Sequence, residues 1–310
     1  MNAHNDPPPL QFAPSLQPND LVAVIAPAGP FAPERLDAGE RIWRAHGFAV
    51  HRHDNIFLKE RYLAGGDRER AAVINEALRD ERIKALICAR GGYGSLRLLD
   101  LIDVEALRQT PKIIVGFSDV TALQMDLRRR LGLVTFSGPM IAGTQIDRLS
   151  PAQLDAYFAA LTSTAPPSPL SGADARWVKS GAAQGPLLGG NLTLLGQLAI
   201  AGRLPSLNGA VLLIEDVNEP PYRLDRLLTT LRMGGHLDGV AAVAVGNFGE
   251  TIDAAETDRL LIDCLGELNV PLLAGLDFGH HGHNRMIPLG VRVSLDAVAP
   301  QIVFTQGGVC

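Results

Sequence analysis

The stretch Lys112-Ile113-Ile114-Val115-Gly116-Phe117-Ser118-Asp119 runs from an unbroken apolar segment through a short polar turn into Val120–Leu131, and Gly132 is a natural helix stop. It predicts a buried strand handing over to a helix. The same unit recurs upstream. Leu21–Ile25 is a β-branched run halted by Pro27-Ala28-Gly29-Pro30 and followed by helical spacing over Glu34–His46. Phe48–Arg52 reads as the next strand, Asp67–Leu78 as a helix, Ile83–Ala89 as a strand and Leu96–Leu101 as a further helical stretch. Strands alternating with helices predict an α/β fold whose N-terminal domain is a mainly parallel sheet with flanking helices. Functional groups in such sheets gather at the carboxyl ends of the strands.

The alternation dissolves between Ser163 and Gly190, where Pro166-Pro167-Ser168-Pro169 precedes Gly172, Gly181, Gly185, Gly189 and Gly190. We read residues 1–165 as one domain, 166–188 as a linker and 189–310 as a smaller C-terminal α/β domain with some antiparallel strands. In the latter, Asn191–Ala201 reads as a helix and Ala210–Ile214 and Ala241–Val245 as strands. Leu224, Leu227, Leu228 and Leu231 place Tyr222–Met233 on a helix, Thr257–Leu268 is a second, and Val291–Leu295 and Gln301–Thr305 alternate like antiparallel strands.

Composition narrows the classes of function. The chain has 310 residues, 46% hydrophobic and 20% charged, with 28 Lys and Arg against 33 Asp and Glu, a net charge of −5. No basic run exists for phosphate neutralisation, so a nucleic-acid partner is not expected. Apolar runs such as Val240–Val245 are too short to span a bilayer, and Met1–Asp20 has neither the basic start nor the apolar core of a secretory signal. Three cysteines, Cys88, Cys264 and Cys310, form no disulfide pattern. A cytoplasmic protein with no membrane partner is expected.

Four segments carry candidate chemistry. Ser118 follows a strand and opens a helix, where free backbone N–H groups favour developing negative charge. Gly116-Phe117-Ser118-Asp119-Val120 resembles a nucleophile elbow but has Val120 where the second glycine would stand. A plain helix cap is the competing role for Ser118. Arg90-Gly91-Gly92-Tyr93-Gly94 follows the strand Ile83–Ala89 and is either an anion-binding nest or a tight turn. Glu215 and Asp216 end the strand Val211–Ile214, with Glu219 and Asp225 as competing acids. Gly279-His280-His281-Gly282-His283-Asn284-Arg285 offers an imidazole base. A metal site is disfavoured there, because no Cys-x-x-Cys or H-E-x-x-H accompanies it. His51 and His53 alternate on one strand and read as structural.

Together, Arg90-Gly91-Gly92-Tyr93-Gly94, Gly116-Phe117-Ser118-Asp119, Gly189-Gly190-Asn191-Leu192-Thr193, Leu213-Ile214-Glu215-Asp216-Val217, Glu219-Pro220-Pro221-Tyr222-Arg223 and Gly279-His280 with Asn284-Arg285 resemble the LD-carboxypeptidases, the muramoyltetrapeptide carboxypeptidases of peptidoglycan recycling. The resemblance implies a serine peptidase with a Ser–Glu–His triad, here Ser118, Glu215 and His280, spanning the domain interface. Its reaction is removal of the terminal D-alanine from a murein tetrapeptide. It implies an oxyanion hole, for which we choose the backbone N–H groups of Gly92 and Asp119, and it implies no metal and no cofactor. His281 stands as the alternative base. Arg90, Arg223 and Arg285 are candidates for the substrate carboxylate, with Asn191 as a further substrate contact. The partner is a small peptide, and a homodimer stays open. The alternative function is a related self-immunity hydrolase that cleaves a peptidyl-adenylate antibiotic, for which Trp177 would supply an aromatic face.

Overall fold

A computed structural model describes residues 8–280 and 283–310. The first half runs β1 (Leu21–Ile25), α1 (Pro33–Ala45), β2 (Ala49–Arg52), α2 (Asp67–Arg79), β3 (Ile83–Cys88), α3 (Val104–Gln109), β4 (Ile113–Gly116), α4 (Thr121–Leu131), β5 (Thr135–Ser137) and α5 (Pro151–Thr162). β1 to β5 are all parallel, in the order β5-β4-β3-β1-β2. Such a doubly wound sheet reverses its winding between β1 and β3, and a crevice opens there at the carboxyl ends. The inner strands β1, β3 and β4 are buried on both faces, alternate residues facing opposite sides. Val22, Val24, Ile87 and Val115 pack under Leu36 and Trp43 of α1 and Tyr157 and Phe158 of α5. Ala23, Ile25, Leu86 and Ile114 pack on the opposite face with Ile74 of α2 and Leu123 of α4.

The second half runs β6 (Arg176–Lys179), β7 (Ala183–Asn191), α6 (Leu192–Ile200), β8 (Val211–Glu215), α7 (Pro221–Met233), β9 (Ala242–Val245), α8 (Ala254–Leu265), β10 (Leu272–Ala274), β11 (Ile287–Leu289), β12 (Arg292–Leu295) and β13 (Val303–Phe304). β7 to β10 are parallel neighbours, flanked by antiparallel β12 and β13 at one edge and antiparallel β6 at the other. The fold is thus the expected α/β pair of sheets, the first mostly parallel and the second mixed.

Three differences from the sequence reading have physical causes. The stretch 166–188 contains β6 and the first residues of β7, both members of the second sheet. Its glycines mimic a loop, but Gly185 lies on β7, where an added Cβ would stand 1.9 Å from the Gly209 carbonyl oxygen. Leu96–Leu101, expected to be helical, contains only a 3₁₀ turn at Ser95–Leu98. His51 and His53 do not share a strand: β2 ends at Arg52, and His53 accepts from the Asn55 amide at the start of a 3₁₀ turn.

The halves interlock. β11 crosses back to pair antiparallel with β5 of the first sheet, placing Ile287 opposite Ser137. Cys310 closes backbone hydrogen bonds with Ala13 and Ser15. One apolar cluster runs from Leu123 of α4 through Leu192, Leu195 and Leu198 of α6 into β8 and β9. The three cysteines are free thiols. No described helix is long and apolar enough to cross a membrane.

Candidate active site

Ser118 sits immediately past β4, at the start of a 3₁₀ turn (Ser118–Val120) that runs into α4. Its φ of +62° is left-handed, a conformation that costs a β-carbon-bearing residue about 1–2 kcal/mol. The strained turn lifts the hydroxyl off the sheet top. Ser118 is not a helix cap: its Oγ lies 2.9 Å from His280 Nε2.

His280 lies beyond β10, and its Nδ1 is 2.6 Å from Oε2 of Glu215, the last residue of β8. Gly279 makes this approach possible. Its φ is +112°, and a Cβ there would fall 2.7 Å from Glu215 Oε2. Side chains hold the His280 backbone from the other side: Gln145 donates to the Gly279 carbonyl at 3.1 Å, and Asn284 accepts from the Gly279 amide at 3.2 Å. Asn284 also donates to Gln145 at 3.2 Å, so the two amides brace each other. Burial pushes the imidazole pKa down, but the hydrogen bond and charge of Glu215, with the charge of Asp216, outweigh it and the net direction is up.

Behind the acid lies a closed polar network. Asn191 Nδ2 donates to Glu215 Oε1 at 3.2 Å and to Asp216 Oδ1 at 3.0 Å, while Asn191 Oδ1 caps α6 at the Leu194 amide. Asp216 accepts further from the Thr193 amide and hydroxyl. Burial raises the Asp216 pKa and Glu215 adds to it, opposed by those donors. The Asn191 amide in turn donates to Thr121 Oγ1 at 3.0 Å, tying this network to the helix that follows Ser118. Asn191 is 4% exposed and both amide protons are used, which leaves it a scaffold for the acid rather than the substrate contact expected from sequence.

Beyond the end of β3, Gly91 faces Ser118 and Gly92 follows it in the cleft wall. A Cβ on Gly91 would come within 3.1 Å of Ser118 Oγ, so only glycine leaves room there for a reacting carbonyl. The buried Asp119 carboxylate accepts from the Gly94 amide at 3.3 Å and the Ser95 amide at 2.8 Å, locking the glycine loop against the serine turn. Burial raises the Asp119 pKa against those hydrogen bonds.

A cleft of about 460 Å³ opens over these groups, with Ser118, His280, Gly91, Gly92, Arg35 and Arg90 in its walls. Of the arginines expected at the substrate, only Arg90 is there. Arg223 is on α7, ion-paired with Glu219 at 3.2 Å. Arg285 lines a separate cavity and donates to the carbonyls of Ser168 and Pro169. Arg35, Gln145 and Thr121 carry no motif signal and were invisible in the sequence. His281 lies outside the described residues, and His283 turns to Gln153 at 2.9 Å. Among the described residues no three metal-ligating side chains converge. Trp177, on β6 opposite Leu273, is not part of the cleft wall.

A hydroxyl, an imidazole and a buried carboxylate in hydrogen-bonded series are the parts of a serine hydrolase, able to pass a proton from oxygen to nitrogen while the carboxylate steadies the imidazolium. A model of the LD-carboxypeptidase N-terminal domain matches residues 22–138, and one of the LD-carboxypeptidase C-terminal domain matches residues 184–295. The chain belongs to the LD-carboxypeptidase family, peptidase family S66. It is 38% identical to a Streptomyces coelicolor protein whose name places it among the carboxypeptidases, over 95% of this chain and 96% of that one. It is 33% identical to the murein tetrapeptide carboxypeptidase of Pseudomonas aeruginosa, over 90% and 94% of the two chains. The crystal structure of a muramoyltetrapeptide carboxypeptidase from Oxalobacter formigenes superposes with a TM-score of 0.81 at 31% identity, covering 93% of this chain and 99% of the other.

Proposed function

We propose that this peptidase removes the C-terminal D-alanine from murein tetrapeptides, cutting the bond between an L-centre and the D-residue, in the cytoplasmic recycling of cell-wall peptides. His280 Nε2 takes the proton of Ser118 as Oγ attacks the scissile carbonyl, and Glu215 holds the Nδ1–H tautomer. The oxyanion forms beside the amides of Gly92 and Asp119, each such donor contributing about 10²–10³ in rate. Collapse transfers the proton from Nε2 to the leaving amine and releases D-alanine. Water, deprotonated by His280, then cleaves the Ser118 ester and frees the tripeptide. The observation that carries this reading is the Ser118 Oγ–His280 Nε2–Glu215 sequence of contacts at 2.9 and 2.6 Å.

The test is release of free D-alanine from a murein tetrapeptide by purified protein, repeated with Ser118→Ala. Turnover by the native chain and a fall of about 10⁴-fold or more in the variant are expected. D-alanine release that survives the substitution would remove Ser118 from the chemistry. The peptidyl-adenylate reading needs an aromatic face over the cleft, and the position of Trp177 gives it no support.

A further inference from the structure

A carboxypeptidase acts on a free carboxylate next to the scissile bond, and an arginine in the Ser118 cleft is the side chain best suited to read that charge. Two arginines line the cleft. Arg35 is already neutralised: its Nη1 lies 2.8 Å from Asp147, whose pKa it holds down, and its Nη2 donates to the Gly143 carbonyl. Arg90 differs. Among the described residues no carboxylate pairs with it, and its one hydrogen bond runs from Nη1 to the Pro30 carbonyl at 3.1 Å.

From these contacts we infer that Arg90 is the carboxylate anchor, and thus the residue that makes the enzyme an exopeptidase; the inference rests on the function proposed above. The tether to Pro30 occupies one corner of the guanidinium and leaves the Nε–Nη2 edge, the edge that forks onto a carboxylate with two parallel hydrogen bonds. A Cβ on Gly92 would stand 3.9 Å from Arg90 Nη2, and one on Gly29 would stand 3.9 Å from its Cζ, so the guanidinium lies along the glycine loop. The next residue, Gly91, abuts Ser118 Oγ. Three successive residues therefore present a cation, a gap for the scissile carbonyl and an oxyanion donor, the order in which a peptide's end offers its terminal carboxylate and then the carbonyl of the residue before it. The loop is stiff: Gly29 donates to Gly91 at 3.2 Å across the β1–β3 crevice, and Asp119 pins its far end. A preorganised cation loses little entropy on binding.

The deciding experiment compares kcat/KM for a murein tetrapeptide ending in D-alanine with that for the same peptide ending in D-alaninamide, in the native chain, Arg90→Gln and Arg90→Lys. The native chain prefers the acid. In Arg90→Gln that preference falls by about 10- to 100-fold, the effect of losing hydrogen bonds to a charged group, and Arg90→Lys lies between because an ammonium keeps the charge without the fork. A loss shared equally by both peptides, leaving the acid-to-amide ratio where it was, overturns the anchor while leaving the serine mechanism standing. A native chain inert toward both peptides overturns the proposed function and the anchor with it.

Discussion

At the residue scale, the proposed mechanism makes His280 the group that sets the pH response. As a base it must be neutral to accept the Ser118 proton, so activity is lost as pH falls through its pKa. Because Glu215 raises that pKa against the opposing effect of burial, the acid limb of kcat/KM is expected above the ordinary histidine value of about 6.5. Glu215→Gln removes both the charge and the tautomer control. Its acid limb should shift to lower pH while the plateau drops by about 10⁴-fold. A pH–rate profile of the two proteins checks this, and an unmoved limb would mean that another group titrates. Ser118, Glu215 and His280, which the fold brings into hydrogen-bonded series, stood out in the sequence because each lies at or beyond the end of a strand and belongs to a short motif. Gln145 and Thr121 were not, since an amide in a loop and a threonine in a helix become meaningful only when folding brings Gly279 and Asn191 against them. Asn191 was visible for the right motif but the wrong reason: its side chain is spent on two carboxylates.

At the element scale, the handover from β10 to the His280 turn is a tight constraint in the site. Gly279→Ala puts a methyl group 2.7 Å from Glu215 Oε2 and 2.9 Å from its Cβ, in a backbone region that L-residues avoid. Since β8 is a central strand and cannot retreat, the His280 turn must move, and a displacement near 1 Å costs roughly 10²-fold in rate. We expect kcat/KM to fall about that far while KM changes little, measured on the tetrapeptide. A variant of undiminished kcat would show that the turn relaxes freely. The alternation of strand and helix in the first half was readable because the inner strands β1, β3 and β4 are almost wholly buried and appear as near-continuous apolar runs. The second sheet was harder. β7 carries Gly185, Gly189 and Gly190, which composition equates with a loop, whereas the strand needs them for close contact with its neighbours. β11 has three residues and contains Pro288, so no periodicity marks it, although it closes the edge of the first sheet.

At the scale of the whole molecule, the cleft exists only while both sheets hold their relative position, because Ser118 follows β4 of one and Glu215 ends β8 of the other. Two features make that position part of the fold. Leu289 of β11 lies in the second half of the chain but is 1% exposed and pairs with Thr135 of the first sheet, and the α4–α6 contact joins the cores of the two halves in one apolar cluster. Unfolding is therefore expected to be a single transition despite two sheets. The chain supplies its own probes, since one of its two tryptophans, Trp43, is buried on α1 and the other, Trp177, is on β6. Denaturant curves of Trp43→Phe and Trp177→Phe, each leaving one reporter, should coincide once corrected for the substitution. Leu289→Ala, added to either, should then shift both reporters by the same amount, about 2–5 kcal/mol. Equal shifts mean that the strand exchanged between the sheets couples them. Were the shift confined to Trp43, the sheets would melt separately, and the distance between serine and imidazole would be set by a contact that opens without unfolding either half.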